Sequence, residues 1–176
     1  NDDLTGDLVF GRTGNDNVRG SRDGTDDILF GNQGRDVVFG GGVGGVRNFR
    51  FGEGDDILYG GMDDDTLLGG ADNDFLSGDL GDDVLNGGDE DDIFAIRRDA
   101  GMDIIEDFGD GRDQIGLQFG LQLSELNIVQ GSGDNEGNTL ITLAADGQVL
   151  AVLQETDASS LSASEFVTYE GFGGVA

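Results

Sequence analysis

An aspartate recurs every nine residues through the middle of this chain, at Asp56, Asp65, Asp74, Asp83 and Asp92. Upstream the same place is held by Asp7, Asp16, Asp27 and Asp36, with two extra residues between Asp16 and Asp27. Two residues beyond each comes one apolar side chain: Val9, Val18, Leu29, Val38, Leu58, Leu67, Leu76, Leu85 or Phe94. A unit this short, with glycine at fixed offsets, is a turn plus a very short strand, and it cannot bury a face alone. Stacking supplies the core, and two units, one on each side, complete a flattened coil. Because side chains alternate along a strand, the middle residue points inward and its neighbours outward.

Composition limits what such a stack can do. The formal charge is -28, and the chain has no cysteine, histidine or lysine; its nine basic residues are all arginine. Disulfides, thiolate chemistry, Cys-ligated zinc, histidine bases and Schiff bases are therefore excluded. The negative balance disfavours nucleic acid and anionic membranes. No apolar run is long enough to span a bilayer. Asn1 in place of methionine is expected of a processed or truncated end. Only oxygen ligands are plentiful, so the partner that fits is a hard cation.

The repeated segments, among them GRDVVFGG at 34–41, GEGDDILYGG at 52–61 and GDDVLNGG at 81–88, resemble the nonapeptide GGxGxDxUx (U apolar) of RTX, or hemolysin-type calcium-binding, proteins. The resemblance covers about 1–95. It implies an all-β chain, a right-handed parallel β-roll closed by a small β-rich cap, with calcium held between stacked turns by backbone carbonyls and the repeat aspartates. Carried over, one edge holds Asp7, Asp27, Asp65 and Asp83, and the other Asp16, Asp36, Asp56, Asp74 and Asp92. Stacked turns stand about 4.8 Å apart, where two carboxylates repel by about 1 kcal/mol in water and ~3 to 4 kcal/mol at an effective dielectric of 20. A divalent cation between them reverses the sign. Calcium suits the place better than magnesium because it accepts irregular shells of oxygen ligands.

The pattern breaks in GGGVGGVRNFRFGEG, 40–54, where Gly45 and Arg47 occupy the Asp and apolar places. Counting that stretch as one further unit puts Phe39 and Tyr59 on one face, close enough to touch, and Phe30 on the other. Ile28, Val37 and Ile57 also fall on outward positions. Acidic residues at glycine positions, Asp63, Asp72, Asp79 and Glu90, are either extra ligands or solvated charge. After 96 the spacing is lost. Asp103, Asp107, Asp110 and Asp113 are either ligands for one further calcium or a solvated loop. The segment 139–153 reads as a β-hairpin turning at Asp146-Gly147, followed by a short helical turn within 159–166. The expected division is a repeat roll at 1–95 and a capping, secretion-related region at 96–176.

The leading function is a non-catalytic, secreted calcium-binding module that folds when it meets calcium outside the cell; the resemblance implies type I secretion from a bacterium. The alternatives are a structural subunit of an extracellular layer, matrix or filament that self-associates through apolar roll faces, or an accessory module of a larger secreted enzyme attached to an upstream domain.

Overall fold

A computed structural model describes residues 3–5, 8–20, 26–40 and 54–169. Asp7 and most of the irregular stretch 40–54, including Gly45 and Arg47, lie outside the described residues. Two sheets face each other. One is built from β1 (Asp3–Thr5), β3 (Asn17–Arg19), β5 (Val37–Phe39), β7 (Thr66–Ala71), β9 (Val84–Asp89) and β11 (Asp103–Ile105) in that order. It continues through β15 (Val149–Leu153) and β14 (Thr139–Leu143) to β13 (Leu126–Gln130). The other runs β2 (Leu8–Phe10), β4 (Ile28–Gln33), β6 (Ile57–Met62), β8 (Phe75–Leu80), β10 (Ile93–Ile96), β12 (Gln114–Gln118) and β16 (Phe166–Tyr169). Within the roll each strand pairs in parallel with the strand two places along the chain. This is the parallel β-roll, two repeats to a coil.

The core is a double file of the middle strand residues, from Val9 and Val18 to Leu85 and Phe94, all buried. Full burial of one such side chain contributes about 1.5–3 kcal/mol. The file does not stop at 96. Ile105 and Ile115 extend it, each two residues beyond an aspartate, Asp103 or Asp113, and β11 and β12 pair in parallel with β9 and β10. The hairpin β14–β15 forms as expected, with Gly147 at φ 80° in its turn. β15 then pairs in parallel with β11, and β16 with β12, covering the open edge of both sheets. Short 3-10 turns at Ala158–Ser160 and Ala163–Glu165 lead into β16.

One expectation is corrected. The register places Ile57 on Ile28 and Thr66 on Val37, so 29 residues separate stacked neighbours there, against 18 in the regular coils. The strands before and after 41–53, β5 and β6, lie on opposite sheets. Everything after that stretch therefore sits on the opposite sheet from the one obtained by counting a Gly45 unit. Phe30 and Tyr59 share a face, their rings stacked at 5.1 Å, while Phe39 lies on the other sheet beneath the Arg19 guanidinium at 5.4 Å.

Candidate metal columns

The same correction redraws the edges. One column is Asp16, Asp36, Asp65, Asp83 and Asp103, and the other Asp27, Asp56, Asp74, Asp92 and Asp113. In each, the backbone N–H of one aspartate donates to Oδ1 of the aspartate in the next coil. The first column has Asp16 to Asp36 at 2.7 Å, Asp36 to Asp65 at 2.6 Å, Asp65 to Asp83 at 2.7 Å and Asp83 to Asp103 at 3.4 Å. The second has Asp27 to Asp56 at 2.7 Å, Asp56 to Asp74 and Asp74 to Asp92 at 2.8 Å, and Asp92 to Asp113 at 3.0 Å. The edges read from sequence spacing are therefore redrawn after 41–53, since Asp27 stacks on Asp56 and Asp36 on Asp65.

The second carboxylate oxygen divides the columns. In Asp36, Asp65, Asp74, Asp83 and Asp92 it is buried with no hydrogen-bond partner, although a buried, unpaired charged oxygen is costly. In Asp16 and Asp113 it accepts the N–H four residues earlier, from Arg12 at 2.9 Å and Gly109 at 2.6 Å. Asp107 has both oxygens occupied, by the Gly87 and Gly88 N–H groups at 3.1 and 2.7 Å, and Asp110 is exposed. The four C-terminal acids are thus not one cluster: Asp103 ends one column and Asp113 the other.

Each unpaired oxygen lies against an inward glycine. A methyl on Gly69 would overlap the Asp74 carboxylate and the Gly87 carbonyl oxygen of the next coil, and Gly60 stands in the same relation to Asp65 and Gly78. A carboxylate oxygen and a backbone carbonyl oxygen therefore lie side by side at each of these two glycines. Among the described residues no three acidic side chains converge on a common point, so a cation here draws much of its shell from the backbone. That donor set fits a hard, oxygen-seeking ion.

Burial dominates the electrostatics. From an ordinary value of 3.8 it pushes Asp74 up to about 9, Asp65 and Asp92 to about 8, Asp56 to about 7 and Asp83 to about 6. The donated N–H of the neighbouring coil pulls each back, and adjacent carboxylates push it further up. Asp103 is raised well above the ordinary range by burial and by Asp83.

A second row escaped the sequence reading. One residue before the buried aspartates, Asp55 N–H donates to Asp26 Oδ1 at 3.2 Å, Asn73 N–H to Asp55 Oδ1 at 2.9 Å, and Asp91 N–H to Asn73 Oδ1 at 3.2 Å. Its signal was the paired carboxylates of the DD dipeptides. Arg112 ends this row in an ion pair with Asp91 at 3.0 Å. The glycine replacements are backbone devices: Asp63, Asp72, Asp79 and Glu90 all have positive φ. The carboxylate of Asp72 accepts the Gly54 N–H at 3.0 Å, and that of Asp79 the Ser77 hydroxyl at 2.9 Å.

The family model of the RTX calcium-binding nonapeptide repeat matches residues 21–42, 52–76 and 59–94, in four copies. The chain carries an RTX calcium-binding repeat array. Both columns run through it. Among solved structures the chain is similar to the AlgE6R2 subunit of the Azotobacter vinelandii mannuronan C5-epimerase, at 22% identity and a TM-score of 0.49 over 96% of this chain and 92% of that one. It is also similar to the AlgE6R3 subunit of the same enzyme, at 21% identity and a TM-score of 0.48 over 89% and 80%. No curated protein sequence matches it.

Proposed function

We propose that this RTX chain is a secreted, non-catalytic module whose roll is completed by calcium bound along the two aspartate columns outside the cell. The observation that carries the reading is the set of buried, unpartnered oxygens on Asp36, Asp65, Asp74, Asp83 and Asp92. These five, with Asp27 and Asp56 in the same column positions, are the ligands we assign. Asp16, Asp103 and Asp113 close the column ends, and Asp107 and Asp110 support the last turn. The array at 1–95 is the metal-binding part and 96–176 the cap, sharing the same two sheets. A cation that binds only the folded roll adds stability of RT ln(1 + [Ca]/Kd) per site, about 1.4 kcal/mol each at ten times Kd. A chain low in calcium is thus left extended by carboxylate repulsion, a form suited to export.

The test is a calcium titration of the chelated chain, followed by circular dichroism and calorimetry. Expected is a cooperative gain of β structure with a midpoint of order 0.1–1 mM, the range of extracellular modules. An already folded, unchanging spectrum in chelator overturns the coupling.

A second reading, a subunit of an extracellular layer or filament, is favoured by the exposed Leu8, Phe10 and Ile28 at one end of a roll face. Sedimentation in calcium separates the two, since the structural reading requires a polymer. As an accessory module of a larger secreted enzyme the chain would remain monomeric.

A further inference from the structure

The nine-stranded sheet ends on β13, LNIVQ, which pairs with β14 on one side and with no described strand on the other. Its ladder to β14 runs through five pairs without a register shift, whereas β14 and β15 slip between Ile141 and Thr142. Bonding in an antiparallel ladder alternates. The Gly131 N–H donates to the Asn138 carbonyl and the Ala144 N–H to the Glu125 carbonyl, both at 2.8 Å, so Asn127 and Val129 bond to β14 while Ile128 and Gln130 direct their N–H and C=O groups outward. The Leu126 N–H is already given to the Leu123 carbonyl. Edge strands are commonly blunted by charge, proline or a bulge. β13 has none of these, in a chain of net charge -28. Asn127, Val129 and Gln130 are exposed along it, Val129 at 43%.

We propose that β13 pairs with β13 of a second copy, antiparallel about Ile128, and so joins two nine-stranded sheets cap to cap. The free groups suit self-pairing. Ile128 meets its own counterpart and exchanges two N–H···O=C bonds with it, and the Gln130 N–H of each copy donates to the Leu126 carbonyl of the other. Charge favours the same occupant. In this register Asn127 faces Val129, and Glu125, the acid beside the strand, faces Gly131, so no carboxylate is set against another. A basic peptide, the partner that a charge of -28 would otherwise attract, finds no carboxylate on this strand, whereas an equally neutral strand loses nothing by docking there. Pairing of this isologous kind closes at two copies, which separates it from a filament, and it leaves the two aspartate arrays at the far ends of the joined sheet. Five residues a side bury far less than the ~800 Å² per partner of a stable interface, so the dimer is weak.

Amide exchange reads the edge directly. In saturating calcium, exchange is followed by NMR, with sedimentation alongside, from about 20 µM to about 1 mM protein, a range suited to a weak interface. Ile128 and Gln130 are expected to exchange at least about threefold more slowly at the highest concentration, while Asn127 and Val129, bonded to β14, do not change. Val129→Glu sets like charges diagonally across the joint, and Ile128→Pro removes only an outward N–H. Both are expected to keep the calcium-induced dichroism spectrum and to abolish the dimer and the slowed exchange. Protection of Ile128 and Gln130 already present at the lowest concentration overturns the proposal, because the edge is then covered within one chain. A monomer throughout the range overturns it as well, and so does an association that Val129→Glu retains. Should Ile128→Pro fail to fold, the exposed Val129→Glu decides alone. The inference rests on the folded cap and not on the calcium reading, so a chain already folded in chelator is tested there in the same way.

Discussion

The Asp56 N–H donates to Asp74 Oδ1 at 2.8 Å, while Asp74 Oδ2, on the same buried carboxylate, has no partner. One oxygen of Asp74 is held by the fold, and the other is the one proposed above to meet calcium. Substituting asparagine separates the two roles, because its Oδ1 still accepts from Asp56 while the charge is removed. Asp74→Asn is expected to increase β structure in chelator at pH 8 and to raise the calcium midpoint about tenfold, or ~1.4 kcal/mol. Dichroism-monitored titration checks both directions; a variant weaker in both conditions shows that Oδ2 is not a ligand.

The raised carboxyls give metal-free stability an unusual sign. Folded values of about 6 to 9 for Asp83, Asp56, Asp65, Asp92 and Asp74 lie above the ordinary 3.8, so between those limits the folded roll holds protons that the unfolded chain has released. Stability falls where the native state binds more protons. The contribution is therefore full below about pH 4 and lost as pH rises through 6 to 9. In chelator, the chain is expected to show more β structure at pH 5 than at pH 8.5. Adding calcium at pH 7 displaces protons, and an unbuffered solution acidifies.

Asp113 and Asp92 look alike in sequence and differ in what their oxygens touch. Both Asp113 oxygens accept backbone N–H groups, from Asp92 and Gly109. Asp113→Asn is expected to lower thermal stability by about 1–2 kcal/mol and leave calcium stoichiometry unchanged in calorimetry. Asp92→Asn reduces the stoichiometry.

Gly69→Ala drives a methyl into the Asp74 carboxylate and the Gly87 carbonyl. The backbone conformation is not at issue, only the space. Expected is a loss of more than about 2 kcal/mol in calcium, accompanied by weaker binding, whereas the exposed Asp134→Ala changes thermal midpoints little.

The nine-residue spacing made the strands, the inward file and the buried aspartates legible, because each unit repeats the same contacts. Parity across 41–53 was not legible. Whether an irregular stretch forms a half-coil depends on whether its backbone pairs with the coils on either side, and no local property of Gly45 or Arg47 reports that. The assignments of Phe30, Phe39 and Tyr59 failed for that one reason. Asp103 and Asp113 were left uncertain because they follow their column neighbours by 20 and 21 residues rather than 18. The extra residues form longer turns while the Asp-to-inward-apolar offset of two survives in Ile105 and Ile115.

Pairing between strands two places apart makes the length of the molecule a discrete quantity. A duplication or deletion of 18 residues within the regular coils returns every later strand to its own sheet. A change of nine would exchange the two sheets for all that follows, sending β15 and β16 to the wrong neighbours. Growth and shrinkage of such a chain therefore proceed by whole coils, and an odd surplus survives only where a turn can absorb it.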